Sequence, residues 1–311
     1  MRAKIVAVFM ALLSVICLSA CQKNTAPKIG ICWSQDADGL VDCHQQALTQ
    51  ALQNAGFQVT AVHSQNDQAK QFLQLRRFLK SGYDLVVIQP VMASQTDAMA
   101  QQLDNAGIPG IVLQTLTTFS RPKSNRSVCY IGSDAYEPGL LLGQALLQTP
   151  NQGDLNDDGV ISYVFIGGPE DHIDGQFRMQ GCSQALEHLR TKMLYYCHGD
   201  WTEDSGRTLA RQMLSVYGEG IDVLFCGNDA MTLGAMDAIA DAGRTVGQDI
   251  YLMGIGNDPQ VLTRIKNGQI SATVAIDRQA WLDTVLGAIH GYLNGERVAS
   301  QHCIDYTIVT Q

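Results

Sequence analysis

Apolar residues in this chain gather in short dense runs, and most of these runs are separated by longer stretches in which apolar positions recur with helical spacing. From Lys28 onward the runs Lys28 to Trp33, Phe57 to Val62, Asp84 to Ile88, Gly110 to Leu113 and Val128 to Ile131 predict strands. After Asp134 the rhythm resumes, with strands predicted at Val160 to Ile166, Met193 to Cys197, Asp222 to Cys226, Tyr251 to Ile255 and Ala272 to Ile276. Strands alternating with amphipathic helices predict an α/β chain with parallel sheets. Ten strands exceed one compact sheet of ordinary size, and the polar segment Arg121 to Arg126 interrupts the rhythm midway, so two doubly wound, Rossmann-like lobes are expected. Ile276 to Leu293 reads as a final helix and His302 to Val309 as a final strand.

The first residues belong to a different grammar. Arg2 and Lys4 precede an apolar run from Ile5 to Leu18, and Leu18-Ser19-Ala20-Cys21 follows. The run is too short for a membrane span and reads as a cleaved export signal. Its ending resembles a bacterial lipoprotein box, which implies residues 1–20 as signal peptide, a lipid on Cys21 and residues 21–27 as anchor linker. A chain tethered in this way folds as a soluble protein on the outer side of a membrane, in the periplasm or extracellular space. Removing Arg2 and Lys4 takes the net charge from −9 to −11, and with no basic run, nucleic acid is excluded as a partner. Beyond Cys21, seven cysteines remain; no two form a Cys-x-x-Cys pair and most sit in strand-like runs, so buried free thiols are expected rather than a disulfide framework.

The densest chemistry lies between Gly153 and Arg178. Asp154, Asn156 and Asp158, followed by Gly159, set oxygen-bearing side chains on alternate residues of a tight loop, the first half of a calcium loop. Phe165 stands where a complete loop would carry its closing Glu. A hard cation wants six or more oxygens, so either a carboxylate arrives from elsewhere in the chain or the loop is a solvated acidic turn. Beyond the turn Gly167-Gly168-Pro169 come His172, Asp174 and Arg178, polar groups past a strand end, where open α/β sheets bind ligands.

Ser64 to Gln71, Tyr130-Ile131-Gly132-Ser133-Asp134, the loop from Asp154, and Cys226-Gly227-Asn228-Asp229-Ala230-Met231 together resemble, in order and over nearly all of the mature chain, the periplasmic glucose/galactose-binding proteins. Those are substrate-binding components of bacterial ABC sugar importers in the ribose-type class. The resemblance implies two lobes joined by three crossovers, near Ile131 to Asp134, Ile276 to Arg278 and Asn294 to His302. Residues 28–131 with 278–295 would form the N-terminal lobe, and 134–276 with 302–311 the C-terminal lobe. It implies a monosaccharide in the cleft, bound by Asp38, Gln114, Thr115, His172, Asp174, Arg178, Trp201 and Asn228. Aspartate accepts two hydroxyls, guanidinium donates a planar pair of bonds, and an indole face covers the C–H side of a pyranose. Helix capping is the alternative for Asp38 and Asn228, a surface ion pair for Asp174 and Arg178, and core packing for Trp201.

The same resemblance supplies the missing cation ligand, implying structural calcium held by Asp154, Asn156, Asp158, the Val160 carbonyl, Ser162 and Asp222. Asp222 and Ser162 are shorter than the family's side chains, so weaker affinity is implied. Two positions depart from the family: Gly256 stands in place of a sugar-binding Asp and Ile276 in place of an Asn, with Asn257, Asp258 and Asp277 as substitutes one residue away. Leu40 replaces a stacking aromatic, leaving Trp33 as a substitute face. These departures point toward a deoxy, substituted or differently shaped sugar, while compensation by the substitutes would keep glucose or galactose. A monomer delivering its ligand to an ABC permease is expected, with a chemoreceptor or sensor kinase as the alternative recipient. An exported carbohydrate-active enzyme would need paired carboxylates about one bond, which the chain does not offer beyond those already assigned. A sugar-responsive repressor would need a DNA-binding head, which it lacks.

Overall fold

The computed structural model describes residues 26–34, 42–113, 127–170 and 172–311, except the side chains of Asp42 and Cys43. In chain order the elements are β1 (Lys28–Trp33), α1 (Asp42–Asn54), β2 (Gln58–His63), α2 (Gln68–Lys80), β3 (Leu85–Ile88), α3 (Thr96–Ala106), β4 (Gly110–Leu113) and β5 (Val128–Gly132). The chain then runs through α4 (Glu137–Leu147), β6 (Ile161–Gly167), α5 (Ile173–Ala185), β7 (Thr191–His198), α6 (Glu203–Tyr217), β8 (Val223–Cys226), α7 (Asp229–Asp241), β9 (Tyr251–Ile255), α8 (Pro259–Lys266) and β10 (Ala272–Ile276). It ends with α9 (Arg278–Leu293), β11 (Gln301–Cys303) and β12 (Tyr306–Val309).

Two six-stranded sheets form, ordered β11-β5-β4-β3-β1-β2 and β12-β10-β9-β8-β6-β7. Setting aside the outer strands β11 and β12, the second order repeats the first, although no sequence repeat is visible. Every pairing is parallel except β10 with β12. Parallel strands need helical crossovers on both faces, which explains strands that are apolar throughout. In β1 the residues Ile29, Ile31 and Trp33 pack on one side with Val285 and Ile289 of α9, and Cys32 packs on the other with Leu75 and Phe78 of α2. The second sheet is sandwiched in the same way: Val164 and Ile166 face the α6 and α7 side, Tyr163 and Phe165 the α4 and α5 side.

The predicted final strand is two strands, which moves the third crossover. Gln301–Cys303 extends the first sheet alongside β5, and Tyr306–Val309 closes the second sheet against β10. Ile304 donates from its backbone N–H to the Gly132 carbonyl at 2.7 Å, so residues 301–303 belong with the N-terminal lobe and the chain changes lobes at Ile304 and Asp305, not between Asn294 and His302. Alternation of apolar and polar residues is the same on both sides of that change, so pattern alone merges them. The thiols of Cys32, Cys129, Cys182, Cys197 and Cys226 are free and buried, and Cys303 is free and exposed. Burial pushes Cys32 and Cys129 up to about 12 and Cys197 up to about 11, which leaves them as inert packing groups.

With Gly139 against Arg178, Gly234 marks one of the two tightest helix contacts in the second lobe. A Cβ there would lie 1.9 Å from the Glu203 carbonyl oxygen, so α6 and α7 meet backbone to backbone. Gly234→Ala is expected to force them apart and lower stability by about 1–3 kcal/mol, measured by denaturant unfolding.

Candidate functional site

Each sheet reverses its strand order once, between β1 and β3 in the first lobe and between β6 and β8 in the second. At such a switch point the connections leave toward opposite faces and open a crevice at the carboxyl ends of the strands. The two crevices face each other here. Trp33 ends β1, Gln89 follows β3, Asn228 follows β8, and all three line one cleft of about 430 Å³, within the range of roughly 300–1,000 Å³ usual for small-molecule sites. Ser133, Arg278 and Tyr306, from the three crossings between lobes, also line it.

The C-terminal lobe supplies Arg178 from α5. Asp174 lies 4.0 Å away, one turn earlier, Nη1 donates to the Gly227 carbonyl, and the guanidinium carbon sits 5.5 Å from the centre of the Trp201 ring. Trp201 is held from behind: a Cβ on Gly168 would fall 1.9 Å from its ring, and the His172 ring meets it edge-on at 5.2 Å. Arg178 and Asn228 therefore line the cleft, while His172, Asp174 and Trp201 form a layer beside it and reach it through Arg178. Asn228 also caps α7, its Oδ1 accepting from the Met231 N–H at 2.9 Å and its amide donating to the Trp201 carbonyl at 2.8 Å. Asp38, Gln114, Thr115 and Cys21 lie outside the described residues.

The aromatic walls come from the other lobe. Trp33, the substitute face suggested by the sequence, lines the cleft at 2% exposure, and Trp281 of α9 joins it. His44 stands edge-on to Trp281 at 5.3 Å, and burial, then the Arg278 charge, lowers it to about 4, so its imidazole is neutral at physiological pH. Of the three substitutes considered for the family's missing groups, Asn257 and Asp258 line the cleft. Asn257 donates to the Ile276 carbonyl at 3.2 Å, which brings an amide beside the aliphatic Ile276 side chain. Asp277 instead caps α9 through the Ala280 N–H.

Asp229 was not anticipated. It lines the cleft at 3% exposure, and its carboxylate accepts from the Asp258 N–H at 2.6 Å and the Thr273 hydroxyl at 3.2 Å. Gly256 is the reason it fits. That residue has φ of 153°, and a Cβ on it would sit 2.3 Å from Asp229 Oδ2. The space a side chain at position 256 would need is thus taken by a carboxylate from the start of α7. Sequence spacing carries no signal for this, since 27 residues separate the two positions (256 minus 229).

The acidic loop is tightly wound. Asp154 accepts from the N–H groups of Asp158 and Gly159, Asn156 from Asp158, and Asp158 from Val160. Asp222, 1% exposed, arrives at the loop from the start of β8 and accepts from the Leu155 N–H at 3.3 Å and the Ser162 N–H at 2.8 Å. Burial raises its carboxyl above the ordinary value, against the effect of these bonds. The distant carboxylate that the loop needs is therefore at hand, and the donors are the hard oxygens that suit calcium. Among the described residues no three His, Cys, Asp or Glu side chains already converge as a metal cluster, so an ion would have to draw them together.

Two lobes, three crossings and a ligand-sized cleft between opposed switch points define a type I bilobal binding protein. The chain belongs to the periplasmic binding protein family, whose domain model matches residues 29–297. It is 25% identical over 228 residues to the D-galactose/methyl-galactoside binding periplasmic protein of Haemophilus influenzae, covering 71% of this chain and 68% of that one. Identity to the ribose import binding protein of Salmonella typhimurium is 24% over 259 residues, covering 82% and 80%. Among solved structures, a Bacillus halodurans ABC transporter solute binding protein with bound myo-inositol superposes with a TM-score of 0.77 at 24% identity, over 93% of this chain and 96% of that one. A Mycobacterium smegmatis protein in complex with β-D-fucofuranose gives 0.78 at 23%, over 92% of each.

Asp229 should leave a signature in pH dependence. Burial raises its carboxyl from 3.8 to about 6, against the bonds from the Asp258 N–H and the Thr273 hydroxyl and the Arg178 charge, the Asp258 charge adding to the rise. Between those values the folded state keeps a proton that the unfolded chain has released, so this group's contribution falls as pH rises through the window and stays low above it, by up to about 3 kcal/mol. Asp229→Asn is expected to flatten that part of the stability curve between pH 4 and 6, read by urea unfolding at each pH.

Proposed function

We propose that this protein is an exported sugar-binding component of an ABC importer, closing its lobes around one neutral monosaccharide and presenting the closed form to a membrane permease. The observation that carries this reading is the cleft: both lobes and all three crossings contribute to it, so a ligand touching every wall favours the closed arrangement by differential contact. Its chemistry suits a polyol. Trp33 and Trp281 offer aromatic surface for C–H faces, and Asn228, Asn257, Asp229 and Arg178 offer donors and acceptors for hydroxyls. Two arginines, Arg178 and Arg278, balance two carboxylates, Asp229 and Asp258, on the wall, which favours an uncharged ligand. Binding without conversion agrees with the family, whose relatives named above are called binding proteins.

Gly256 and Ile276, which offer no side-chain hydrogen bond where the resemblance expects Asp and Asn, support a ligand other than glucose or galactose. Calorimetric titration against glucose, galactose, deoxyhexoses, pentoses, furanoses and inositols tests the reading, and one of them is expected to bind tightly. Arg178→Ala is expected to weaken that sugar by about ten- to a hundredfold, the loss of charge-assisted bonds. No binding across the whole panel would remove monosaccharides as the ligand class.

Two features of the exported form belong to the same proposal. Cys21 carries a lipid anchor, which the mass of the mature protein extracted from membranes would reveal. The loop from Asp154 to Ser162, with Asp222, takes a calcium ion, whose charge would relieve the crowding of Asp154 and Asp222. Calcium is expected to raise the melting temperature of the wild type and to leave Asp222→Ala unmoved; an equal response in both would take Asp222 out of the site.

A further inference from the structure

Gln45 is in the first turns of α1, on the N-terminal wall of the cleft. It is 3% exposed, and neither Nε2 nor Oε1 of its side chain has a hydrogen-bond partner, although both atoms are shut off from solvent. Its backbone is served normally, the carbonyl accepting from the Thr49 hydroxyl at 2.8 Å. Burying a primary amide with both ends unmet is costly, and such groups in folded proteins nearly always find partners. This chain supplies a comparison. Gln71, 0% exposed, donates to the Gln89 carbonyl at 2.8 Å and accepts from the Val91 N–H at 3.0 Å, holding the turn after β3. Gln71 is a structural amide with internal partners; Gln45 has the same burial and none.

Gln45 borders the cleft beside Trp33 and His44, and a second hollow beside Gln46 and Gln50 of the same helix. We infer that Gln45 is a ligand-binding residue of the N-terminal lobe, whose amide donates to one hydroxyl and accepts from the neighbouring hydroxyl of a vicinal diol on the bound sugar. An amide presents one donor end and one acceptor end side by side, which matches two adjacent hydroxyls that can each take either role. The inference deepens the sugar-binding reading and rests on it. It assigns the N-terminal wall a specificity element that discriminates a diol from its deoxy or epimeric relatives, because an analogue lacking one hydroxyl would leave half of a buried amide unpaired.

The test pairs Gln45→Leu and Gln45→Met, close in volume and without polar groups, with the wild type. Two readouts are taken: the melting temperature without ligand, and calorimetric affinity for whichever sugar of the panel the wild type binds, together with its monodeoxy analogues. The expected result is a ligand-free melting temperature equal to or above that of the wild type, an affinity lowered tenfold or more, and loss of discrimination against one deoxy analogue. Unchanged affinity in both variants would overturn the inference while leaving the sugar-binding function standing. Should the wild type bind no sugar at all, the functional reading fails, and the melting temperature still decides the residue: a fall in both variants marks Gln45 as a structural amide and sinks the inference, whereas a rise supports an amide that awaits a ligand.

Discussion

Parallel strands cannot be joined by tight turns, and nearly everything about this molecule follows from that constraint. Each β-α-β unit returns the chain to the same edge, so every strand in a lobe points its carboxyl end the same way. Where the strand order reverses, no connection covers those ends. Doing this twice, and turning the two bare edges toward each other, makes a cleft out of backbone geometry before any side chain is chosen. Trp33, Gln89, Leu113, Ser133, Asn228, Gly256 and Asn257 come from different stretches of sequence, yet all lie at or just past strand ends on that wall. The side chains then decide what the cleft accepts.

That division explains what could be read in advance. The strands were legible because burial on both faces writes dense apolar runs, and the observed ends differ from the predicted ones by at most two residues in the first ten. The last run was misread because the chain moves from one sheet to the other inside it, and His302 to Val309 shows no change of pattern at Ile304. Arg178 and Asn228 were legible through their motifs. His172, Asp174 and Trp201 were legible as neighbours of the site, but the packing of Trp201 on Gly168 turns the indole toward Arg178, and spacing does not encode that. Asp229 and Gln45 escaped notice for a shared reason: their meaning lies in what stands opposite them in space, a missing Cβ at Gly256 in one case and a missing partner in the other.

Asp229, seated in the space beside Gly256, shows how a helix start can deliver a charge to a wall built from strand ends. That carboxylate is anchored by the Asp258 N–H and the Thr273 hydroxyl rather than by its own strand, which fixes the direction of its oxygens. Specificity in such a cleft is set by where the bonding groups are rooted as much as by which groups they are.

The late change of lobe at Ile304 and Asp305 has a mechanical meaning. β11 is fixed in one sheet and β12 in the other with two residues between them, and Ser133 on the neighbouring crossing bonds Tyr306 at 2.9 Å. A link this short has little slack to slide, so the proposed closure would pivot the lobes about the line through the crossings. Points near a pivot barely travel and points far from it sweep a wide arc. Ser133, Arg278 and Tyr306, rooted on that line, form a floor that keeps its shape whether the jaws are apart or together, while the walls carrying Trp33 and Asn228 act as lever arms. In the closing motion proposed above, an arriving sugar would meet a finished floor first and be tested by the arms only as they swung shut.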